Sequence, residues 1–308
     1  MVTIRLLEKP EEMQAIEELQ RVVWPGSETD IVPAHLLLTA AHNGGVVLGA
    51  FEDKNDTRMS LVGFVFGFPG LHFTPEGPRP KHCSHMLGVL PDYRNQNIGF
   101  RLKRAQWQWV RRQGLDLITW TYDPLLSSNA YLNITKLGAV CRLYRRDFYG
   151  DMRDRLNIGL PSDRFEVEWW VSSKRVTKRL SSKPRPHLGL AQCTEAGAIL
   201  FNPTTIDPSG WPIPADLQKL QDLGYPTVLL VEIPSDFLTL KAQSAKLALI
   251  WRKHIRFVFE QLFEKGYLVT DFISERRDEV RKSFYMLTHE ESYLGQEFNR
   301  GKRDILAM

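Results

Sequence analysis

Cysteine is scarce in this 308-residue chain: Cys83, Cys141 and Cys193 are widely spaced, odd in number and without a Cys-x-x-Cys pair. That excludes a disulfide framework and offers no zinc site, so a reducing, cytoplasmic setting and no metal are expected. Long hydrophobic runs are missing too; none approaches the roughly 20 residues that span a bilayer, and no membrane partner is expected. The opening Met-Val-Thr-Ile-Arg-Leu-Leu-Glu is too short and too charged to read as a secretory signal. Acid is absent from one stretch in particular. From Tyr93 to Gln113 there are six basic residues (Arg94, Arg101, Lys103, Arg104, Arg111, Arg112) and no Asp or Glu. A site there takes an anion. The net charge of +4 has the same origin, because residues 181–308 are balanced and the whole excess lies before them. A nucleic acid is conceivable on such a patch, but no DNA-binding motif accompanies it.

What is present is an ordinary globular composition, 43% hydrophobic and 25% charged, long enough for two domains. The chain organises around His85 to Arg112. A short apolar strand runs into Pro91-Asp92-Tyr93, a polar loop follows to Gly99, and a long basic helix comes next. Strand, tight loop and helix start together make a phosphate cradle, since the first N–H groups of a helix lack partners and sit at the positive end of its dipole. Ile98, Leu102, Ala105 and Trp109, spaced 4, 3 and 4, predict the buried face, leaving Arg101, Arg104, Gln108 and Arg111 toward solvent.

Val89-x-Pro91-x-Tyr93-Arg94-x-x-Asn97-Ile98-Gly99-x-x-Leu102 resembles the acyl-coenzyme A motif of the GNAT superfamily of N-acetyltransferases, Arg/Gln-x-x-Gly-x-Gly/Ala after a strand ending Val-x-Pro. Asn97 stands where the family usually has its first glycine. Asn tolerates a left-handed backbone better than other side chains, so the loop survives the change.

The flanking elements extend the resemblance over about residues 2–175. A strand is expected at Val2–Leu7, a helix from Pro10 to about Val23, and a second from Pro33 to about His42, near the family's acceptor pocket. Asp30 and His35 lie there, with helix capping and simple exposure as equally good explanations. Two strands, Val46–Phe51 and Met59–Phe68, precede a proline- and glycine-rich loop over Pro69–Pro80, and Lys81–Leu90 enters the phosphate loop. After the basic helix come a strand (Leu115–Tyr122), a helix from Ser127 to Leu137 stopped by Gly138, and strands at Ala139–Tyr149 and Phe165–Ser172. The resemblance implies an α/β (α+β) fold: a mixed, mostly antiparallel twisted sheet flanked by helices, plus a second, smaller α/β domain.

Ser172 to Pro186 is basic and proline-punctuated and reads as a linker or an exposed crossing. The expected division is therefore 1–178, a linker at 179–186, and 187–308. The last part shows strand-like pieces at Ala198–Phe201 and Thr227–Ile233. A long helix from about Ser235 to Lys265 carries Leu240, Leu247, Trp251, Val258 and Leu262 as its stripe. A strand (Tyr267–Ile273), a short charged helix (Ser274–Lys282) and a final strand (Ser283–Thr288) follow. This order echoes the second half of the first domain without its phosphate loop. A degenerate GNAT-like half and an unrelated α/β domain both fit.

The resemblance also implies roles. Backbone groups near Leu87 and Val89 would pair with pantetheine amides, and the N–H groups of Asn95, Gln96, Asn97, Ile98, Gly99 and Phe100 would hold the pyrophosphate, with Arg94 marking the motif. A strand N–H near Leu87 or Gly88 is the natural oxyanion donor. Many members place a Tyr four residues before the helix-ending glycine as acid to the thiolate; here that position is Ile134. Tyr131 lies nearly a turn earlier. Asn129 and Asn133 share a face and could bond the cofactor or the leaving sulfur, with an N-cap role open for Asn129. His85, on the face of Leu87 and Val89 by period-2 alternation, is the candidate base, with a structural His as the alternative. His82, His72, Asp123 and Tyr149 are weaker candidates.

The expected activity is acyl-CoA-dependent N-acetyltransfer from acetyl-CoA to an amine by direct attack, on a small molecule or peptide. The alternative is a non-catalytic coenzyme A-binding or regulatory protein. A homodimer is compatible with either.

Overall fold

The computed structural model describes residues 2–26, 28–54, 58–152, 154, 157–181, 189–215, 221–277 and 280–289. Two compact units are formed, one from Met1–Trp120, Arg153–Ile158 and Trp169–Leu180, the other from Thr121–Met152, Gly159–Glu168 and Ser181–Met308. Residues 121–152 and 159–168, read above with the first domain, thus lie in the second unit.

The first unit is a sheet with helices on both faces. Its elements are β1 (Val2–Leu6), α1 (Pro10–Val23), α2 (Ala34–His42), β2 (Val46–Lys54), β3 (Arg58–Thr74), β4 (Gly77–Val89), α3 (Ile98–Arg112) and most of β5 (Leu117–Tyr122). Strands run in the order β1-β2-β3-β4-β5, antiparallel except for β4 beside β5. Pro10 opens α1 where a missing N–H costs nothing, and the Glu12 carboxylate accepts from the N–H groups of Glu8 and Lys9 at 3.0 and 3.1 Å. Strand alternation divides the core. Val47 and Phe51 join Phe64 and Phe66 under α1 and α2, whereas Val46, Leu48 and Ala50 join Val62 and Val65 under α3 through Ile98 and Leu102.

The expected loop over Pro69–Pro80 is instead a hairpin, paired from Pro69↔His82 to Thr74↔Gly77. The prolines fit because no further strand pairs with the outer edges of this part of the hairpin among the described residues. β2 pairs with β3 no further than Gly67, and β4 meets β5 at His82 and Cys83, so Pro69, Pro78 and Pro80 deprive no third strand of a donor. The linker reading also needs correction. Lys174–Leu180 folds as α5, with Val176 and Leu180 buried one turn apart and Ser173 Oγ accepting the Val176 N–H at 3.2 Å. Residues 182–188 lie outside the described residues.

In the second unit, α4 (Ser127–Ala130) passes into a π turn (Tyr131–Lys136), then β6 (Val140–Arg145), β7 (Arg164–Trp170), α6 (Leu190–Glu195) and β8 (Ile199–Leu200). A small ribbon of β9 (Thr204–Ile206) and β10 (Pro212–Pro214) precedes β11 (Val228–Ile233), α7 (Phe237–Gln243), α8 (Ala245–Glu264), β12 (Leu268–Arg277) and β13 (Val280–Thr288). The sheet order is β7-β6-β12-β13-β11-β8, antiparallel apart from β11 beside β8. The predicted stripe of Leu240, Leu247, Trp251, Val258 and Leu262 is buried as expected. The long helix, however, is two. Ser244 takes φ −145°, and its hydroxyl accepts the Leu247 N–H at 3.2 Å, ending α7 and capping α8. Where the expected charged helix over 274–282 is described, it is paired strand instead. Ser274↔Ser283 and Glu275↔Lys282 face each other on β12 and β13 and set opposite charges face to face, while 278 and 279 lie outside the described residues.

Among the described residues no helix is long and apolar enough to cross a membrane. No group of three or more His, Cys, Asp or Glu side chains among them is placed to hold a metal ion.

Candidate functional site

The loop after β4 is built by three local constraints. Pro91 lacks an N–H and starts a 3-10 turn, Pro91–Tyr93, in which the N–H groups of Tyr93 and Arg94 reach Leu90 and Pro91 carbonyls at 2.9 and 3.1 Å. Asn95 and Asn97 then take left-handed φ of 63° and 64°, the conformation foreseen for Asn97. Ile98, buried against Val62, Val65 and Leu102, pins the start of α3 to the sheet. The Arg101 N–H donates to the Asn97 carbonyl at 3.1 Å. No side chain caps this end. The N–H groups of Ile98 and Gly99 are therefore the orphan donors of a 15-residue helix, behind two left-handed turns that direct successive N–H groups to one side. Residues 94–97 are exposed, and Arg94 Nε lies 3.4 Å from the Val89 carbonyl. With no acid from Tyr93 to Gln113, this cradle fits a pyrophosphate.

Upstream, β4 separates from β5. Their pairing runs through His82↔Ile118 and Cys83↔Thr119; from Ser84 onward β4 has no strand partner on that side among the described residues. Leu90 donates its N–H to the Val62 carbonyl at 2.9 Å on β3. By antiparallel alternation Gly88 and Met86 also turn toward β3, leaving the polar backbone groups of Leu87 and Val89 on the open edge. This removes the Gly88 N–H as an oxyanion donor and keeps that of Leu87. Gly88 is required for another reason: a Cβ there would lie 2.8 Å from Phe64 Cε1 and 3.2 Å from the Trp24 ring.

His85 does not share a face with Leu87 and Val89. The β3–β4 register shifts between Phe66 and Gly67, which face Met86 and Ser84, so His85 is the extra residue of a β-bulge. A bulge breaks strict alternation and re-aims a side chain. Leu87 and Val89 pack on the α3 side, whereas the exposed imidazole of His85 stands 5.9 Å from the Phe66 ring and 5.8 Å from the Phe68 ring, toward α1 and α2. Desolvation by this apolar surround lowers its pKa below the ordinary 6.5, favouring the neutral, proton-accepting form. Asp30 and His35 are both exposed, and the N-cap of α2 is Pro33, so Asp30 does not cap it.

Beneath the bulge lies a polar network that the sequence did not reveal. Lys103, one of the six basic residues of the acid-free stretch, is buried. Its Nζ is 2.7 Å from Ser84 Oγ, 3.4 Å from Gln106 Oε1 and 3.6 Å from the centre of the Trp120 ring. Gln106 Oε1 also accepts from Ser84 Oγ at 2.9 Å, and its Nε2 is 3.1 Å from His82 Nε2. Burial drives the pKa of Lys103 well down. Burial first, then the Lys103 charge, pushes His82 down to about 3. A buried His82 is no candidate base. The available signal was Ser84, Lys103 and Gln106 falling among apolar neighbours on the strand and helix facing each other.

Asn129, Tyr131 and Asn133 belong to the second unit. There Leu126, not Asn129, is the N-cap of α4. The helix widens into the π turn with Leu137 N–H on the Leu132 carbonyl at 2.9 Å, half-burying Asn129 and burying Asn133 and Ile134. Asp123 is committed to Arg252, and the Tyr149 hydroxyl lies 2.9 Å from Thr121 Oγ1.

Residues 13–133 match the model of the acetyltransferase (GNAT) family. No curated protein matches the chain. Among solved structures, Arabidopsis thaliana NAA60 in complex with acetyl-CoA is similar at 14% identity and a TM-score of 0.44, over 55% of this chain and 99% of that one. Ard1 from Thermoplasma volcanium is 16% identical over 56% of this chain and 99% of its own, with a TM-score of 0.41. The IAA acetyltransferase from Bacillus cereus is 14% identical over 55% and 99%, with a TM-score of 0.39. With the loop, the bulged β4 and α3 all inside residues 13–133, the chain carries a domain of the acetyltransferase (GNAT) family.

Proposed function

We propose that this domain is an acyl-CoA-dependent N-acetyltransferase that acts by direct attack of an amine. The observation that carries the reading is the start of α3, with orphan N–H donors, left-handed Asn95 and Asn97 and an acid-free surround, at the end of an open strand edge. Residues 94–100 would hold the pyrophosphate, and the Leu87 and Val89 backbone groups the pantetheine amides. Acetyl-CoA, when bound, supplies an activated acyl thioester. The chain's own groups do the rest. The Leu87 N–H stabilises charge developing on the carbonyl oxygen, and His85 accepts a proton from the acceptor amine, directly or through water.

Calorimetric titration with acetyl-CoA tests the reading. Wild type should bind in the micromolar range. An Arg94→Ala, Gly99→Asp double variant, which puts a carboxylate among the donors, should lose affinity on the order of 100-fold, or about 2.7 kcal/mol. Absence of binding by wild type at low salt would sink the proposal.

His85→Gln should leave acetyl-CoA affinity unchanged and lower kcat/KM by about 10²-fold or more. The wild-type rate should reach its plateau with a base titrating below pH 6.5, and the variant should lack that limb. Equal pH profiles would remove His85 from the mechanism.

A second reading, coenzyme A binding without turnover, draws on Ile134, an aliphatic side chain fully buried where a family acid commonly stands. Thiol release from acetyl-CoA over a panel of amines separates the two.

The remainder of the chain is consistent with a degenerate half of the same fold. β13 lies between β11 and β12 after the α7–α8 crossover, as β7 lies between β5 and β6. The equivalent helix start carries an acid, Asp236, whose carboxylate accepts the Thr239 N–H at 3.1 Å. That is the wrong charge for a phosphate.

A further inference from the structure

We propose that Lys103 makes the inner end of the strand opening selective for an acyl thioester whose acyl chain ends in a carboxylate, an inference resting on the acyl-CoA reading above. β4 and β5 are paired at His82↔Ile118 and Cys83↔Thr119, and the next parallel pair would be Ser84 with Trp120. Lys103 stands at that point. Its ammonium bonds Ser84 Oγ on one strand at 2.7 Å and sits over the Trp120 ring of the other at 3.6 Å. It is the wedge at which the strands part.

Among the described residues no carboxylate is placed to compensate its charge. β4, α3 and β5 contain no Asp or Glu. Among the described residues, the groups in reach are Ser84 Oγ, Gln106 Oε1 at 3.4 Å, and the Trp120 and Trp169 rings, all neutral. The other titratable neighbour, His82, is held neutral by burial. A buried ammonium normally has a carboxylate partner, because hydroxyl, amide and ring contacts recover only part of its hydration. An apolar residue would fill the same wedge at no such cost. The phosphates of a bound coenzyme are not the missing partner. The loop that would hold them lies at the Val89 end of the edge, roughly 17 Å of extended strand from Ser84. A ligand stretched along Leu87 and Val89 with its phosphates at the loop directs its far end toward Lys103. An acetyl group brings no charge there; a dicarboxylic half-thioester does.

The test is calorimetric titration of wild type and Lys103→Met with acetyl-CoA, butyryl-CoA and succinyl-CoA. Succinyl-CoA should bind wild type at least about tenfold more tightly than acetyl-CoA. Butyryl-CoA, of the same chain length without the carboxylate, should show no such gain. In Lys103→Met the succinyl preference should vanish while acetyl-CoA affinity holds. Equal binding of succinyl-CoA and butyryl-CoA by wild type would overturn the proposal, and that comparison needs no variant. So would a Lys103→Met protein that weakens all three thioesters alike, which marks a purely structural lysine. If no thioester binds wild type, the acyl-CoA reading itself fails.

Discussion

Replacing Asp123 by Ala is expected to lower stability by about 3–5 kcal/mol, read as the shift of the urea midpoint. The carboxylate is gripped by the Arg252 guanidinium, with Nη1 2.9 Å from Oδ1 and Nη2 on Oδ2, and it accepts the Leu125 N–H at 2.9 Å. Arg164 Nη1 lies 4.0 Å away as a second, weaker partner. Burial works against the charge on Arg252, but the Asp123 carboxylate outweighs it and holds the guanidinium pKa above its ordinary value. Truncating Asp123 leaves that cation buried with its chief partner gone. The side chain is poorly placed to find another, since its Nε already lacks a hydrogen-bond partner among the described residues. The large effect belongs to breaking the pair and says little of its net worth. Asp123→Asn retains an acceptor and should fall between wild type and Asp123→Ala. Asp123→Leu combined with Arg252→Met removes both charges and should recover most of the loss. A cost under about 1 kcal/mol for Asp123→Ala would show that Arg252 is solvated or paired elsewhere.

The parts of the site legible in the sequence are those fixed by local backbone chemistry. Pro91, the two Asn residues and an acid-free helix start constrain the loop within a dozen residues. The structure returns that loop with Asn97 in the left-handed region. Alternation and helical spacing likewise located α1, α2 and the α8 stripe, because each needs only nearest neighbours on one face. On α3 they found Ile98 and Leu102, whereas Ala105 and Trp109 are half-buried and the buried face turns through Lys103, Gln106, Trp107 and Val110. What escaped depends on pairing between distant segments. The bulge that re-aims His85 exists only relative to Gly67 on β3, and the 69–80 hairpin only because no third strand among the described residues competes for its edges. The charged 274–282 stretch has helical composition, but its described residues find better partners in antiparallel pairing of β12 with β13. Lys103 escaped for a related reason. A lysine at solvent-like spacing on a basic helix reads as surface unless the aromatic rings that cover it, from β5 and β7, are known.

Gly67→Ala should destabilise the protein by about 3 kcal/mol, at the upper end of what a single added methyl costs through overpacking. The new Cβ would lie 2.2 Å from His82 Nε2, 2.6 Å from the Cys83 carbonyl oxygen and 2.9 Å from Gln106 Nε2. None of these can retreat cheaply. The carbonyl is held in the β3–β4 ladder, and the two side chains are buried partners of one another at 3.1 Å. Relieving the shortest contact by His82→Ala in the same chain should recover part of the loss, leaving the carbonyl clash. The double variant should therefore cost less than the sum of the singles, and strict additivity would mean that Gly67 and His82 do not touch. His82→Ala alone carries its own signature. The folded imidazole has its pKa pushed down to about 3, whereas in the unfolded chain it titrates near 6.5. Above pH 6.5 it is neutral in both states and the stability is whole. As the pH falls toward 3 the unfolded chain takes up a proton that the folded one refuses, and stability drains away. The variant should lose stability less steeply over that window, with a residual slope from His254, pushed down to about 4 by burial. An unchanged slope would mean that His82 is hydrated in the folded protein, and the buried network beneath the bulge, with Lys103 in it, would then have to be open to water.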